Sequence, residues 1–278
     1  MQIVGYEPKR SPPDSDEHAI VFCSDSSRVR RGDDGDSGYG PPSEITAIAL
    51  EPGTTLEYTL ENRHCAGVFD GDRHHPCDRE AAPHCPYHTS TWVCARCTGT
   101  CLKDEMDCFE THVVYLAGFA PDTFKVGVTR EWRLETRLRE QGADVAAHVH
   151  TVADGRIARE LEATIADEQG LVDRVRTPAK VSSLAERIDG AAWNALLERD
   201  AFDVIERFTF EYGIDLERQP IAETHLSGTV VGTKGRLLVL ERQGTTYAVD
   251  LRDLVGYELE RGTGDDAGDL QSSLGSFG

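Results

Sequence analysis

The sequence predicts a mixed α+β protein, and three features of its 278 residues carry that prediction. Apolar segments of strand length occupy both ends of the chain, and a series of strand and helix patterns occupies its middle. Between them, seven of the eight cysteines fall between Cys65 and Cys108, together with four histidines. A chain of this length can form two modest domains, or one core with appendages.

Residues 1–62 are predicted to form an N-terminal β region. Segments such as IVGYE, HAIVFC and LEYTLE alternate or run apolar over the length of a strand. Residues 24–43 are rich in glycine, serine and aspartate, so we expect a mobile loop there. The cysteine-rich segment follows at residues 63–110.

Residues 111–215 are predicted to form a mixed α/β unit. HVVYLAGF and FKVGVT are strand patterns joined by the turn APDT, which together predict a hairpin. The helix pattern WRLETRLREQG then ends at Gly142, and the strand pattern ADVAAHVHTV leads to a second helix. We expect this helix to have Asp154 as its N-cap and to stop at Gly170. Residues 183–207 are amphipathic, which predicts a further helical segment.

The last part of the chain predicts a small β module and a tail. Residues 216–260 contain three or four strand patterns separated by glycine, and the composition of residues 261–278 predicts a disordered tail. The sequence leaves open whether the N-terminal and C-terminal β segments share one sheet, with the rest of the chain inserted between them.

The cysteine-rich segment predicts a structural zinc site. Thiolates a few residues apart can close on one tetrahedral Zn²⁺, and the pairs Cys94/Cys97 and Cys85/His88 have this spacing. The candidate ligands are Cys65, Cys77, Cys85, His88, Cys94, Cys97, Cys101 and Cys108. They suffice for two four-ligand sites, or for one site with spare thiols. A disulfide framework is the alternative, but it needs an oxidising compartment.

The termini and the charge bear on location and partners. The segment MQIVGYEPKR lacks the apolar core of a signal peptide, and no run of 18 apolar residues occurs, which predicts a cytoplasmic protein with no membrane span. The formal net charge of −20 ordinarily argues against a nucleic acid partner. The acidity is spread over nearly every segment, as in halophilic proteins, where 1 M salt screens charge within about 3 Å. A nucleic acid therefore stays among the candidate partners.

Four positions in the middle unit carry a resemblance to a nuclease core. Tyr115 ends the motif VVY, and the motif KVG begins at Lys125, ten residues later. Arg137 lies in the next helix pattern, and Glu162 lies in the one after it, within ARELEATI. This order resembles the GIY-YIG endonuclease family, in which a tyrosine, an arginine and a metal-binding glutamate follow one another in this way.

The resemblance implies a role for each of the four residues. Glu162 would hold Mg²⁺ or Mn²⁺, which neutralises charge developing on a phosphate. Arg137 would bind the phosphate with its forked donors, although Arg133 competes for this role because the helix arginine is displaced by about two residues. Tyr115 or Lys125 would accept a proton from water. The alternative is that these are a core tyrosine and solvated charges.

Two positions depart from the family pattern. Lys125 stands where the family has its second tyrosine. Thr177 and Pro178 stand where it has an asparagine, some fifteen residues after the glutamate. The departures favour altered or lost catalysis over an intact nuclease centre.

A second resemblance covers most of the chain. A cysteine cluster, a stretch of the form YLA…KVGVTR…QGA and a β module with G-x-K-G occur in this order in a family of uncharacterised proteins. Here the last parts are Gln141-Gly-Ala143 and Gly232-Thr-Lys-Gly235. Because the turn carries two cations, it could grip a sugar-phosphate backbone, and an ordinary exposed hairpin turn is the alternative. The candidate nucleic-acid contacts are Arg130, Arg133, Lys234 and Arg236.

Two functions follow as expectations. The first is a zinc-containing, nucleic-acid-binding protein whose GIY-YIG-like core has lost or altered its catalysis. The second is an active metal-dependent endonuclease that hydrolyses DNA or RNA. The sequence leaves the protein partner and the oligomeric state open.

Overall fold

The computed structural model of the protein describes residues 1–7, 18–23, 45–70, 73–89 and 109–262. The predicted mobile loop 24–43 lies outside these residues, as does all but the start of the predicted tail. Four candidate ligands also lie outside them: Cys94, Cys97, Cys101 and Cys108. Within the described residues the protein is a mixed α+β molecule rich in β-sheet, which confirms the predicted fold class.

The described part contains fifteen strands and five α-helices. The strands are β1 (Gln2–Glu7), β2 (Ala19–Cys23), β3 (Ile45–Ala49), β4 (Thr55–Arg63), β5 (Val68–Asp70), β6 (Arg73–His75), β7 (His112–Phe119), β8 (Thr123–Arg130), β9 (Val145–Val152), β10 (Glu206–Thr209), β11 (Ile221–Ala222), β12 (Leu226–Lys234), β13 (Leu237–Arg242), β14 (Thr245–Asp250) and β15 (Tyr257–Arg261). The helices are α1 (Leu134–Gln141), α2 (Gly155–Gln169), α3 (Thr177–Ser182), α4 (Gly190–Leu197) and α5 (Leu251–Leu254). None of these helices is long and apolar enough to cross a membrane.

Strands from both ends of the chain form one nine-stranded sheet, in the order β11-β14-β13-β12-β4-β15-β1-β2-β3. Strand β4 links the two ends, because it pairs with β12 on one side and with β15 on the other. A single apolar cluster, which includes Ile3, Leu56 and Leu238, packs across this sheet. The N-terminal and C-terminal β segments therefore share one sheet, and the middle unit is inserted between them.

The middle unit is a four-stranded antiparallel sheet in the order β10-β9-β7-β8. The central strand β7 is buried along nearly its whole length, since both faces of the sheet are covered. On one face, Tyr115 packs with Leu134 and Leu138 of α1. On the other, Leu116 packs with residues of α2 and α4, among them Ile165. This double cover explains why HVVYLAGF is continuously apolar instead of alternating.

Local signals set the ends of α1 and α2. The Asp154 carboxylate accepts hydrogen bonds from the backbone N–H groups of Arg156 and Ile157, both at 2.9 Å, so α2 begins where the sequence predicts. Gly142 and Gly170 close the two helices in the left-handed conformation, with φ of 69° and 65°.

The helical segment predicted for residues 183–207 is wrong in its extent. Only α4, two turns long, lies within it, because Asp189 caps a new helix by accepting from the N–H groups of Ala191 and Ala192. The last residues of the segment leave the helix and enter β10, which pairs with β9. Pairing with a neighbouring strand has overridden the amphipathic pattern.

The turn between β12 and β13 packs against the end of α1. A Cβ added at Gly235 would lie 2.6 Å from the backbone nitrogen of Gly142, so the two backbones are in direct contact. Lys234 Nζ donates to Asp144 Oδ1 at 2.6 Å across the same junction. The nine-stranded sheet and the middle unit meet at this point.

Candidate metal centre and candidate polar site

Four of the predicted metal ligands come together in the described part of the chain. The Sγ atoms of Cys65, Cys77 and Cys85 and a ring nitrogen of His88 all lie within 4.8 Å of one another. The His88 Nδ1 atom is 3.3 Å from Cys65 Sγ and 3.5 Å from Cys85 Sγ. Donor atoms around a tetrahedral Zn²⁺ lie about 3.5–3.8 Å apart, given Zn–S and Zn–N bonds of about 2.3 and 2.0 Å. The cluster therefore fits a metal ion.

Two tight backbone turns aim the ligands at a common centre. The N–H groups of Gly67 and Cys85 donate to Cys65 Sγ at 3.4 and 3.2 Å. The N–H groups of His88 and Thr89 donate to the carbonyl oxygen of Cys85, which closes the Cys85–His88 turn. Such N–H···S bonds stabilise a thiolate and hold it in a ligating orientation.

Burial and the neighbouring thiols govern the titration of the cluster. Burial, together with the charge of Cys65, raises the pKa of the Cys77 thiol to about 12. Burial also opposes ionisation of Cys85, but hydrogen bonds from the N–H groups of Tyr87 and His88 help to lower its pKa. Burial lowers the pKa of His88 and keeps its imidazole neutral, the form that binds metals. Crowded thiolates repel one another, and a divalent ion removes that repulsion.

The cluster is anchored to the nine-stranded sheet. Gln2 Nε2, in β1, donates to the carbonyl oxygens of Cys65 at 3.3 Å and Gly256 at 3.1 Å. The N–H of His64 donates to the same Gly256 carbonyl at 3.0 Å. The predicted ligands Cys94, Cys97, Cys101 and Cys108 lie outside the described residues, so a second four-ligand site stays a prediction.

A polar site surrounds Tyr115 in the middle unit. Tyr115 is only 1% exposed, and its hydroxyl accepts a hydrogen bond from Gln141 Nε2 at 2.7 Å. Gln141 Oε1 accepts from Lys125 Nζ at 3.2 Å. Gln141 is the last residue of α1, so the end of that helix joins β7 to β8.

The orientation of the Gln141 amide follows from its neighbours. A lysine amine offers only donors when protonated, so the amide oxygen must face Lys125. The amide nitrogen then faces Tyr115 and donates to its hydroxyl, which leaves the tyrosine proton available for another acceptor. Gln141 thereby fixes both groups at once.

Arg137 and Glu162 act electrostatically on the same two groups. Burial raises the pKa of Tyr115; the positive charge of Arg137 opposes this rise, and the negative charge of Glu162 adds to it. Burial lowers the pKa of Lys125 to about 8, and Glu162 opposes that shift. Glu162 also pairs with Arg159 at 2.7 Å, and Arg137 pairs with Glu140 at 3.3 Å. Arg137 and Glu162 are thus near enough to Tyr115 and Lys125 for their charges to act on both, and the catalytic role of the four residues stays a prediction.

Lys180 of α3 borders this site from the other side of Gln141. Its Nζ donates to the Gln141 carbonyl oxygen at 2.6 Å and lies 4.5 Å from the centre of the Phe119 ring. Burial is the first cause that lowers the pKa of Lys180 to about 7. The further causes are the charges of Lys125, Arg236, Arg137 and Lys234.

The four predicted nucleic-acid contacts have partners within the protein. Lys234 pairs with Asp144, and Arg236 pairs with Asp250 at 2.9 Å. Arg130 pairs with Glu110 at 3.2 Å, and Arg133 pairs with Glu140 at 2.9 Å. The G-x-K-G turn is thus packed against α1 and is not a freely exposed loop.

An exposed tryptophan lies beside two of these cations. Trp132 is 70% exposed, and the guanidinium carbons of Arg130 and Arg133 are each 5.9 Å from its ring centre. Its Nε1 donates to Glu110 at 3.3 Å. An exposed aromatic ring flanked by cations is a surface on which nucleic-acid bases stack.

Sequence reasoning missed Gln141, Lys180 and Trp132 as site residues. Gln141 belongs to the QGA stretch that carried a resemblance, and this was the one signal that could have singled it out. Lys180 is one of only five lysines in the chain. The sequence shows that lysine is rare, but it does not show which residues surround Lys180. Trp132 begins the predicted helix pattern WRLETRLREQG, whereas it lies in the 3-10 turn before α1.

Comparisons with known proteins give a family and no more. No curated protein and no solved structure matches the chain significantly. Residues 61–259, which include the candidate metal ligands, the polar site and most of the C-terminal β strands, match a protein family. The chain therefore belongs to the family described as "Protein of unknown function (DUF2797)".

Proposed function

We propose that this protein binds nucleic acid through a GIY-YIG-like middle unit and carries a structural zinc ion. The observation that carries the proposal is that Arg137 and Glu162 lie close enough to Tyr115 and Lys125 for their charges to shift the pKa of both. The order of the elements supports it too, since a hairpin is followed by a helix, a third strand antiparallel to the first, and a second helix.

The nucleic acid is expected to approach on the side of α1. Arg137 is the most exposed of the four residues, with 47% of its side chain accessible. Trp132 and Arg133 lie in the 3-10 turn that leads into α1 and offer a ring and a guanidinium to bases and phosphates. The net charge of −20 predicts that binding is confined to the side on which these cations lie.

Zinc is the ion that best suits the cluster. Three thiolates and one imidazole are a donor set typical of closed structural zinc sites. A closed site leaves no position for a substrate, so the proposed role is to hold the cysteine-rich segment against the sheet. Reduced thiols are needed for this role, and we therefore expect the protein to work in the cytoplasm.

A nuclease is the second candidate function, and the environment of Lys125 favours it. A lysine whose pKa is lowered to about 8 by burial is a competent proton acceptor near neutral pH. Glu162 would hold Mg²⁺ or Mn²⁺, and a single carboxylate suffices when water and phosphate oxygens complete the shell. That ion would neutralise charge on the phosphate. Arg137 would orient the phosphate, and Lys125 would remove a proton from the attacking water.

The test is binding and cleavage of single-stranded, duplex and branched DNA and RNA with Mg²⁺ or Mn²⁺. Each assay is repeated over a series of KCl concentrations, because the protein is expected to be halophilic. We expect Arg137→Gln to weaken binding about tenfold or more, and Arg156→Gln, which removes an exposed arginine of α2, to change it less than about twofold. Absence of binding to every substrate would overturn both candidate functions.

Cleavage separates the two functions. If the nuclease is active, Glu162→Ala abolishes cutting, while Glu168→Ala, an exposed carboxylate on the same helix, leaves it unchanged. Binding without cutting supports the first function and removes the second. Cutting that survives in Glu162→Ala contradicts the metal-binding role of this residue.

A further inference from the structure

Positive charge is concentrated around Lys180 against the trend of the whole chain. Three of the five lysines, Lys125, Lys180 and Lys234, gather there in a protein of net charge −20. They come from β8, α3 and β12, and two arginines, Arg137 and Arg236, join them. Because like charges repel, such a group is unfavourable unless anions offset it.

Three of the five cations have a carboxylate of the protein beside them. Lys234 pairs with Asp144 at 2.6 Å, and Arg236 pairs with Asp250 at 2.9 Å. Arg137 pairs with Glu140 at 3.3 Å. These three therefore have a counter-charge within the fold.

Lys125 and Lys180 differ from them. Among the described residues, the hydrogen bonds of both amines go to neutral acceptors, the side-chain and backbone oxygens of Gln141. Each protonated amine has three N–H donors, of which these contacts use one. The charges of Glu162 and Asp173 partly offset that of Lys125, whereas Lys180 has cations around it, so an incoming anion would chiefly supply what Lys180 lacks.

We propose that Lys180 and Lys125, on either side of Gln141, form a binding site for a phosphate group. The cavity beside Lys180 has room for about one water molecule, which is the size of one phosphoryl oxygen. Its walls include Phe119, Gln141, Gly142, Ser183 and Lys234. In this site one oxygen of the phosphate occupies the cavity against Lys180, and another is directed past Gln141 towards Lys125, which is not part of the cavity wall.

The chemistry of the site favours phosphate over other anions. A phosphate carries up to two negative charges and presents oxygens in several directions, so one group can accept from two separate amines. A halide offers a single charge and no separate oxygen acceptors, and a carboxylate offers a single charge in one plane. The low pKa of Lys180, caused by burial and by its cationic neighbours, agrees with a site that awaits an anion. The inference rests on the proposed function only for the source of the phosphate.

Calorimetric titration of the full chain with inorganic phosphate, at constant ionic strength, tests the site. We expect Lys180→Met to weaken phosphate binding about tenfold or more. Methionine is similar in length to lysine, but it carries no charge and has no N–H donor. The control Arg156→Met removes one exposed positive charge from α2 and should change the affinity by less than about twofold. Lys180→Met should also fold at least as stably as the wild type without phosphate, because it relieves repulsion.

Two further arms identify the source of the phosphate. A 5′-phosphorylated oligonucleotide that displaces inorganic phosphate, when the unphosphorylated one does not, assigns the site to a terminal phosphate. Displacement by both assigns it to the nucleic-acid backbone, and displacement by neither assigns it to a free phosphate. Equal phosphate affinity in wild type and Lys180→Met, or no phosphate binding at all, overturns the inference even if nucleic acid binds. Phosphate binding without any nucleic-acid binding overturns the proposed function and leaves this site standing.

Discussion

At the scale of single residues, Gly127 shows how closely the polar site is packed. A Cβ at this position would lie 2.5 Å from the hydroxyl oxygen of Tyr115 and 2.6 Å from its ring. Tyr115 is 1% exposed and has little room to move away. Gly127 is therefore required so that the tyrosine can lie across β8 and reach Gln141.

We predict that Gly127→Ala displaces Tyr115 and destabilises the fold. Overpacking of this kind typically lowers the free energy of unfolding by about 1–3 kcal/mol. Urea denaturation measures the loss. The matched control is Gly190→Ala, at a helical position with open space around it, which should leave stability unchanged or raise it by up to about 1 kcal/mol. A Gly127→Ala protein as stable as the wild type would contradict the packing described for Tyr115.

Sequence reasoning reached some residues of the site and missed others for a physical reason. Tyr115, Lys125, Arg137 and Glu162 could be selected because their spacing along successive elements fits a known motif. Gln141 and Lys180 touch each other only because α3 returns to the end of α1. Periodicity shows which face of an element is buried, but it does not show which distant element covers that face.

At the scale of elements, the two ends of α2 could be predicted from local sequence signals. The Asp154 carboxylate accepts two backbone N–H groups at the start of the helix, and Gly170 ends it. Both signals are read from neighbouring residues and need no tertiary information. The segment 183–207 and the nine-stranded sheet needed that information, since β10 and β4 exist through partners far away in the sequence.

We predict that Asp154→Ala destabilises the protein through α2. Loss of an N-cap typically costs about 1 kcal/mol, and two backbone N–H groups would lose their acceptor here. Asp154→Ser should restore most of the stability, because serine also caps helices. Chemical denaturation of the two variants measures the effect, and the control is Asp167→Ala, which removes an exposed carboxylate near the other end of α2. Equal losses in Asp154→Ala and Asp154→Ser would show that capping is not the cause.

At the scale of the whole molecule, Lys180 makes stability depend on pH. Burial and neighbouring cations lower its pKa to about 7, whereas the pKa of a lysine in the unfolded chain is about 10.4. Between these values the unfolded chain holds a proton that the folded chain has released, so stability rises with pH across that window. The contribution is complete above the unfolded pKa and is lost as the pH falls through the folded pKa.

We predict that Lys180→Met removes this part of the pH dependence. Urea denaturation of both proteins is measured from about pH 6.5 to about pH 9.5, which covers most of the range between the folded and unfolded pKa values of Lys180. Over this range the free energy of unfolding should rise less for the variant than for the wild type. Other groups titrate in the same range, so the difference between the two curves carries the result. Parallel curves would mean that Lys180 keeps its proton in the folded protein.

The candidate metal ligands are hydrogen-bonded to the nine-stranded sheet, so loss of a bound metal should destabilise the sheet where they meet it. Gln2 joins the carbonyl groups of Cys65 and Gly256, so an opened cluster would loosen β1 and the start of β15. We predict that chelation lowers the thermal midpoint and speeds amide exchange around Gly256 more than in β8. Cys85→Ala should have the same two effects and should lower the zinc content. Cys23 is a buried cysteine outside the cluster, so the Cys23→Ala protein should keep its zinc. Less than about half a zinc ion per chain in natively purified protein would contradict a structural zinc site, since closed thiolate sites hold their metal tightly.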